Sequence, residues 1–336
     1  MLVDRTRVRG AALRLALTSC CLLSLVACQS APVAYAPVPP SDRAAEAIES
    51  YRESLAEKRE LVDREQRSKR EALPDPVNLL AEGDKQRDAG ELAAALFSYL
   101  QAYQADRSDT APVERVALLH LRREPDRARL IFEELIAAEP ERSTLHSGLA
   151  LTYVAQDELD SAREALFRAI ELDPNAATPR CLLGVLYDRA GEHGAAQESY
   201  ETAARLRPSD YSILNNLAVS FLLSGEPARA VPHLERAIVL EPRDPALHNN
   251  LGLALALSGH DEEALQAFRK AADEPQAHNN LGYARYLRGD YGLAIRSYEK
   301  ALAVRGKGVL RVIRNLELAR EALGEPLEGN APETLW

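Results

Sequence analysis

The stretch "AIELDPNA" at residues 169–176 returns as "AIVLEPRD" at 237–244, with Pro208 midway between the two prolines. Pro140, Pro174, Pro208 and Pro242 stand 34 residues apart, and so do Ala150, Gly184, Ala218 and Gly252. A fixed period of this length marks a repeat architecture, in which one unit buries its apolar face only by stacking on its neighbours. Each unit holds two stretches with apolar residues at helical spacing, a glycine or polar turn between them, and the proline at its end. The pattern predicts helix pairs stacked in series.

Position by position, this period resembles the tetratricopeptide repeat (TPR). The unit at 211–244 carries Leu217, Ala218, Phe221, Gly225, Ala230, Leu234, Ala237 and Pro242. The unit at 177–210 carries Leu183, Gly184, Tyr187, Gly191, Ala196, Tyr200, Ala203 and Pro208. A small residue in the first helix lets the two helices approach, the aromatic or leucine fills the space between them, and the proline starts the next unit. The resemblance implies an all-α TPR solenoid of about seven helix-turn-helix repeats over 76–308, closed by a capping helix at 309–323 and followed by a flexible tail at 324–336. The second unit, about 110–142, is degenerate in its first helix. The two copies of "HNNLG", at 248 and 278, are 30 residues apart instead of 34, so the local rotation of the array is expected to change there.

Ahead of the repeats, Arg5, Arg7, Arg9 and Arg14 precede an apolar run from Leu15 to Ala27 that is too short to span a bilayer, which reads as an export signal over 1–27. Its end, Leu25 to Cys28, resembles the bacterial lipobox, and that resemblance implies a diacylglyceryl and an N-acyl group on Cys28, with no other cofactor. Gln29 is not the aspartate that retains such lipoproteins at the inner membrane, so the resemblance implies the periplasmic face of the outer membrane. Residues 28–42 are a proline- and alanine-rich tether. Residues 43–73 read as a charged helix: 43–72 hold eight charges of each sign and a thin apolar stripe of Ile48, Tyr51, Leu55 and Val62. Beyond the signal only Cys28 and Cys181 remain, so no disulfide framework is expected within the exported chain.

Composition narrows the function. A formal charge of -10 and a pI near 5.4 exclude a general nucleic-acid binder, which needs a basic footprint. No metal-protease, redox or nucleophile-elbow motif occurs, so neither an enzyme nor a small-molecule substrate is expected. His248 and His278 occupy equivalent places without a recurring third ligand, and no metal site is expected of them. The informative residues are paired asparagines. Asn215 and Asn216, Asn249 and Asn250, and Asn279 and Asn280 take the fifth and sixth positions of three successive first helices. In TPR arrays these helices line the concave face. Val219, Leu253 and Tyr283 follow at position nine, with Tyr286 at position twelve.

A side-chain amide both donates and accepts, so a column of amides suits the backbone of an extended peptide. The fifth-position members could equally tie neighbouring repeats together. The "NNLA…NNLG…HNNLG" arrays with alanine-rich second helices resemble the TPR lipoproteins of tight-adherence (Flp) pilus assembly. That resemblance implies a non-enzymatic scaffold with secretin or pilus-assembly subunits as partners. An envelope adaptor that recruits a peptidoglycan hydrolase or protease is the alternative.

Overall fold

Four of the first helices begin at an aspartate whose side chain caps the helix start. Asp75 accepts a hydrogen bond from the Val77 amide, Asp210 from Ser212, Asp244 from Ala246 and Asp273 from Gln276. Such caps contribute about 1 kcal/mol each by satisfying amides that have no partner within the helix. Between the two helices of a pair, Gly90, Gly191, Gly225, Gly259 and Gly289 adopt φ of 80–94°, a left-handed turn that costs glycine little. Asp157 holds the same turn in the third repeat at φ 64°.

The structure, a computed structural model, describes residues 75–304 and 309–324. The signal, Cys28, the tether, the charged helix and the tail beyond Gly324 lie outside the described residues. Fifteen helices and no strand occur among those described. They are α1 (Pro76–Asp88), α2 (Leu92–Ala105), α3 (Ala111–His120), α4 (Pro125–Ala138), α5 (Ser143–Ala155), α6 (Leu159–Leu172), α7 (Ala177–Ala190) and α8 (His193–Leu206). After them come α9 (Tyr211–Leu223), α10 (Pro227–Leu240), α11 (Pro245–Leu257), α12 (Asp261–Ala271), α13 (Glu274–Arg288), α14 (Tyr291–Ala303) and α15 (Val309–Leu323). The order is seven helix pairs and a terminal helix, the all-α TPR architecture expected from the period. None of these helices is long and apolar enough to cross a membrane.

The chain divides into two compact units, one ending at Leu183 and the other beginning at Gly184. In both, an alanine fully buried in each second helix (Ala95, Ala128, Ala162, Ala196, Ala230, Ala264 and Ala294) lets helix axes approach closely. In the N-terminal unit Tyr99, Phe132, Leu135 and Leu145 share one core with Val113, Val116 and Ala117 of α3. The degenerate α3 is only ten residues long, and it replaces lost apolar packing with charge. Glu114 lies 2.7 Å from Arg142, which also donates to Thr110 Oγ1 at 2.7 Å and meets Glu139 at 3.3 Å. Arg115 joins Glu114 to Asp84, and Asp84 accepts from Arg87 and from the Tyr99 hydroxyl.

In the C-terminal unit the missing four residues come from the end of α12 and the turn after it. Helix α12 has 11 residues where α10 has 14, and α13 starts three residues after α12 ends. Consequently α11 and α13 pack on each other more extensively than α9 and α11 do. Two arginines of α13 secure the junction. Arg285 Nε donates to Asp261 Oδ2 at 2.8 Å and Arg288 Nη1 to Oδ1 at 2.9 Å, while Arg288 also reaches the Ala256 carbonyl. Val312, Leu316 and Ala319 of α15 close the core over Ala294, Ile295 and Tyr298.

Candidate functional site: an amide ladder across the first helices

Neighbouring residues on a helix point about 100° apart, so of two adjacent asparagines one can face the preceding helix and the other the following one. The structure uses both directions. Asn250 Nδ2 donates to Asn215 Oδ1 at 2.8 Å, joining α11 to α9. Asn280 Nδ2 donates to Asn249 Oδ1 at 2.7 Å, joining α13 to α11. Asn250 and Asn280, the sixth-position amides of the sixth and seventh repeats, thus each donate to the fifth-position amide of the repeat before.

A third rung, absent from the sequence reading, is Asn315 Nδ2 to Asn279 Oδ1 at 3.0 Å, which carries the ladder onto the capping helix. A lone asparagine in an otherwise amphipathic stretch gives no signal by itself; only its seat opposite Asn279 reveals the role. Gln276 Nε2 adds a bond to Asn280 Oδ1 at 2.6 Å, and Asn279 Nδ2 reaches the same oxygen at 3.4 Å.

Burial grades along the ladder. Asn215 is 8% exposed, Asn216 2%, Asn250 3% and Asn279 4%, whereas Asn249, Asn280 and Gln276 are half-buried. Val219 and Leu253 are buried, at 1% and 8% exposure. Tyr283 is half-buried. Tyr286 packs against the core between α14 and α15 and meets Tyr291 with ring centroids 5.4 Å apart. Burial raises the pKa of both Tyr283 and Tyr286, so the phenols stay neutral hydrogen-bonding groups at physiological pH. The accessible polar part of the face is therefore Asn249, Asn280 and Gln276 beside Tyr283. Each buried amide pair contributes roughly 0.5–1.5 kcal/mol net, and orphaning one member costs about 1–3 kcal/mol.

The histidines do local work. His248 Nε2 lies 2.9 Å from the Pro242 carbonyl and His146 Nε2 2.9 Å from that of Pro140, so position four anchors the helix start to the preceding proline turn. His278 Nε2 lies 3.2 Å from Glu274. Burial holds the pKa of His120, His233 and His278 below the ordinary histidine value. The neutral imidazoles therefore favour the folded state above about pH 6.5, and that contribution is lost as pH falls from there through the depressed folded values. Urea midpoints are expected to drop between pH 7.5 and 5.0, and His278→Gln should flatten that slope in the C-terminal unit.

One polar cluster has the residue types of a hydrolase. His193 Nδ1 and Ser220 Oγ both lie 2.8 Å from Asp188 Oδ1. A nucleophilic serine would hand its proton to the imidazole, whereas Ser220 donates to the carboxylate. These two contacts tie α7, α8 and α9 together, and burial raises the Asp188 pKa against their pull.

Comparison with known proteins agrees with this architecture. Residues 40–281 match the family described as the cilia and flagella-associated protein 70 C-terminal domain, and residues 275–306 match the tetratricopeptide repeat. Among solved structures, the APC/C hetero-tetramer Cut9–Hcn1 is similar at 20% identity and a TM-score of 0.54, over 73% of this chain. The match spans 49% of that longer chain. YrrB, described as a TPR protein with an unusual peptide-binding site, is 24% identical over 55% of this chain and 96% of its own, with a TM-score of 0.45. PilF of Pseudomonas aeruginosa is 17% identical over 60% of this chain and 94% of its own, at 0.48. No curated protein sequence matches the chain significantly. With well over half its length in the family match, the chain belongs to the tetratricopeptide-repeat family of the cilia and flagella-associated protein 70 C-terminal domain, a fold that typically serves as a protein–protein interaction scaffold.

Proposed function

We propose that the protein is a non-enzymatic scaffold, lipid-anchored through Cys28 at the periplasmic face of the outer membrane, that holds an extended segment of a partner protein while a pilus or secretin-type complex assembles. The observation that carries the binding part is the half-buried amide run Gln276, Asn280 and Asn249, which lies beside Tyr283 on adjacent first helices. Its residues offer donors and acceptors without a net charge, which suits a peptide backbone better than a terminal carboxylate. The lipobox-like Leu25 to Cys28 supports the anchor, and the resemblance of the asparagine arrays to Flp pilus lipoproteins supports the pathway.

Affinity capture of the anchored protein from cell envelopes tests the reading. A secretin or pilus subunit is the expected partner, and a peptidoglycan hydrolase or protease as sole partner would replace the assembly role with that of a recruiting adaptor. Gln276→Ala combined with Tyr283→Ala is expected to weaken capture about tenfold, the loss of roughly 1.4 kcal/mol of interface. Cys28→Ser is expected to move the protein from the membrane pellet to the soluble fraction, and persistent membrane association would rule out the lipid anchor.

A further inference from the structure

The front of the first repeat is finished for water. In the third repeat Leu145, at position three of α5, packs with Phe132 and Leu135 of the preceding α4. Its equivalents Ile213, Leu247 and Ala277 are buried too, and position ten is buried as Thr152, Ser220, Ala254 and Ala284. In α1, positions three, seven and ten are Asn78, Glu82 and Lys85, all exposed, with Lys85 and Glu82 paired at 3.9 Å. The front of α1 therefore offers no apolar seat for a further helix pair of the stack, while the family match begins at residue 40.

Apart from Val77 of α1, the large apolar residues left exposed on the N-terminal unit lie on its second helices. Phe97 of α2 is 42% exposed, Leu130 of α4 60% and Phe167 of α6 44%. Position 25, where Phe167 stands, is Glu201, Glu235, Arg269 and Glu299 in the four later repeats. Exposed large apolar residues in three consecutive repeats mark a covered surface more often than a bare one. Upstream, Ile48, Leu55 and Val62 recur every seven residues, which sets them on one side of a helix about 10.5 Å apart. Only residues 73 and 74 separate this segment from Asp75 at the start of α1.

We propose that residues 43–72 form a helix that folds back across the outer face of the N-terminal unit, laying Val62 on Phe97, Leu55 on Leu130 and Ile48 on Phe167. The order follows from the chain: Val62 is nearest α1, and each step of seven residues leads to the next repeat. Docked in this way, the segment brings the end of the tether to the third repeat and leaves the first-helix side of the unit uncovered by its own chain.

Cysteine pairs in the full chain test the register. Under mild oxidation V62C/F97C, L55C/L130C and I48C/F167C are expected to close within one chain, while the mismatched V62C/F167C stays open. Phe97, Leu130 and Phe167 are exposed, so these variants keep the fold. Hydrogen exchange supplies a second reading: amides of 43–72 are expected to be protected independently of protein concentration, and Leu130→Asp to speed their exchange at least tenfold. Three results would each overturn the proposal. One is bonds that form only between chains, the mark of a second copy on this face. Another is equal closure of all four pairs, the mark of an undocked segment. The last is unprotected 43–72 amides together with sedimentation on lipid vesicles that Leu130→Asp abolishes, the mark of a membrane-facing surface.

Discussion

Replacing Glu114 by alanine is expected to destabilise the N-terminal unit by about 3 kcal/mol, because breaking a buried ion pair leaves the partner charge uncompensated. Glu114 is 8% exposed and faces two arginines, Arg142 at 2.7 Å and Arg115 at 3.7 Å. Arg142 retains Thr110 and Glu139, and Arg115 retains Asp84, so the loss is partial for each but falls on both. Exchanging both members of the tightest pair, as Glu114→Leu with Arg142→Met, is expected to cost less than Glu114→Ala alone, since apolar residues of similar volume need no charge compensation. Urea unfolding of the three variants checks this. A Glu114→Ala shift below about 1 kcal/mol, the range of an exposed pair, would mean that the network contributes no more than surface charges do.

Gly252→Ala is expected to cost about 1–3 kcal/mol by overpacking, and Phe268→Leu in the same chain to recover much of it. A Cβ on Gly252 would stand 2.6 Å from Phe268 Cδ1, inside any real contact distance. The same fit recurs along the chain. Gly83 faces Tyr99, Gly184 faces Tyr200 and Gly282 faces Tyr298, each with a virtual Cβ 2.5–2.7 Å from the ring. Where the first helix carries alanine instead, at Ala150 and Ala218, the second helix carries the smaller Leu166 and Leu234, all buried. The protein thus already contains both solutions to one packing problem. A double-mutant cycle on Gly252 and Phe268 should give a favourable coupling of roughly 1 kcal/mol or more, and simple additivity would mean that the two side chains do not share the space.

Much of this was legible beforehand. The 34-residue spacing of Pro140, Pro174, Pro208 and Pro242 places the helix pairs, and the 30-residue step between the "HNNLG" copies locates the shortened α12. Less legible was the second repeat, because α3 keeps little apolar periodicity and is held by charges contributed from residues as far away as Asp84 and Arg142. The asparagine pairs were visible as neighbours on one face, but not as donors to one another.

The sequence by itself determined the architecture, since period, turn glycines and helical spacing are local properties that each repeat states anew. Only the tertiary structure decided who meets whom across repeats: Asn250 with Asn215, Asn280 with Asn249, Asn315 with Asn279, and Arg285 and Arg288 with Asp261. Those partnerships depend on the lateral register of adjacent helices. Register is set by turn lengths and by the depth to which each aromatic ring seats against its glycine, and neither can be read from one helix alone.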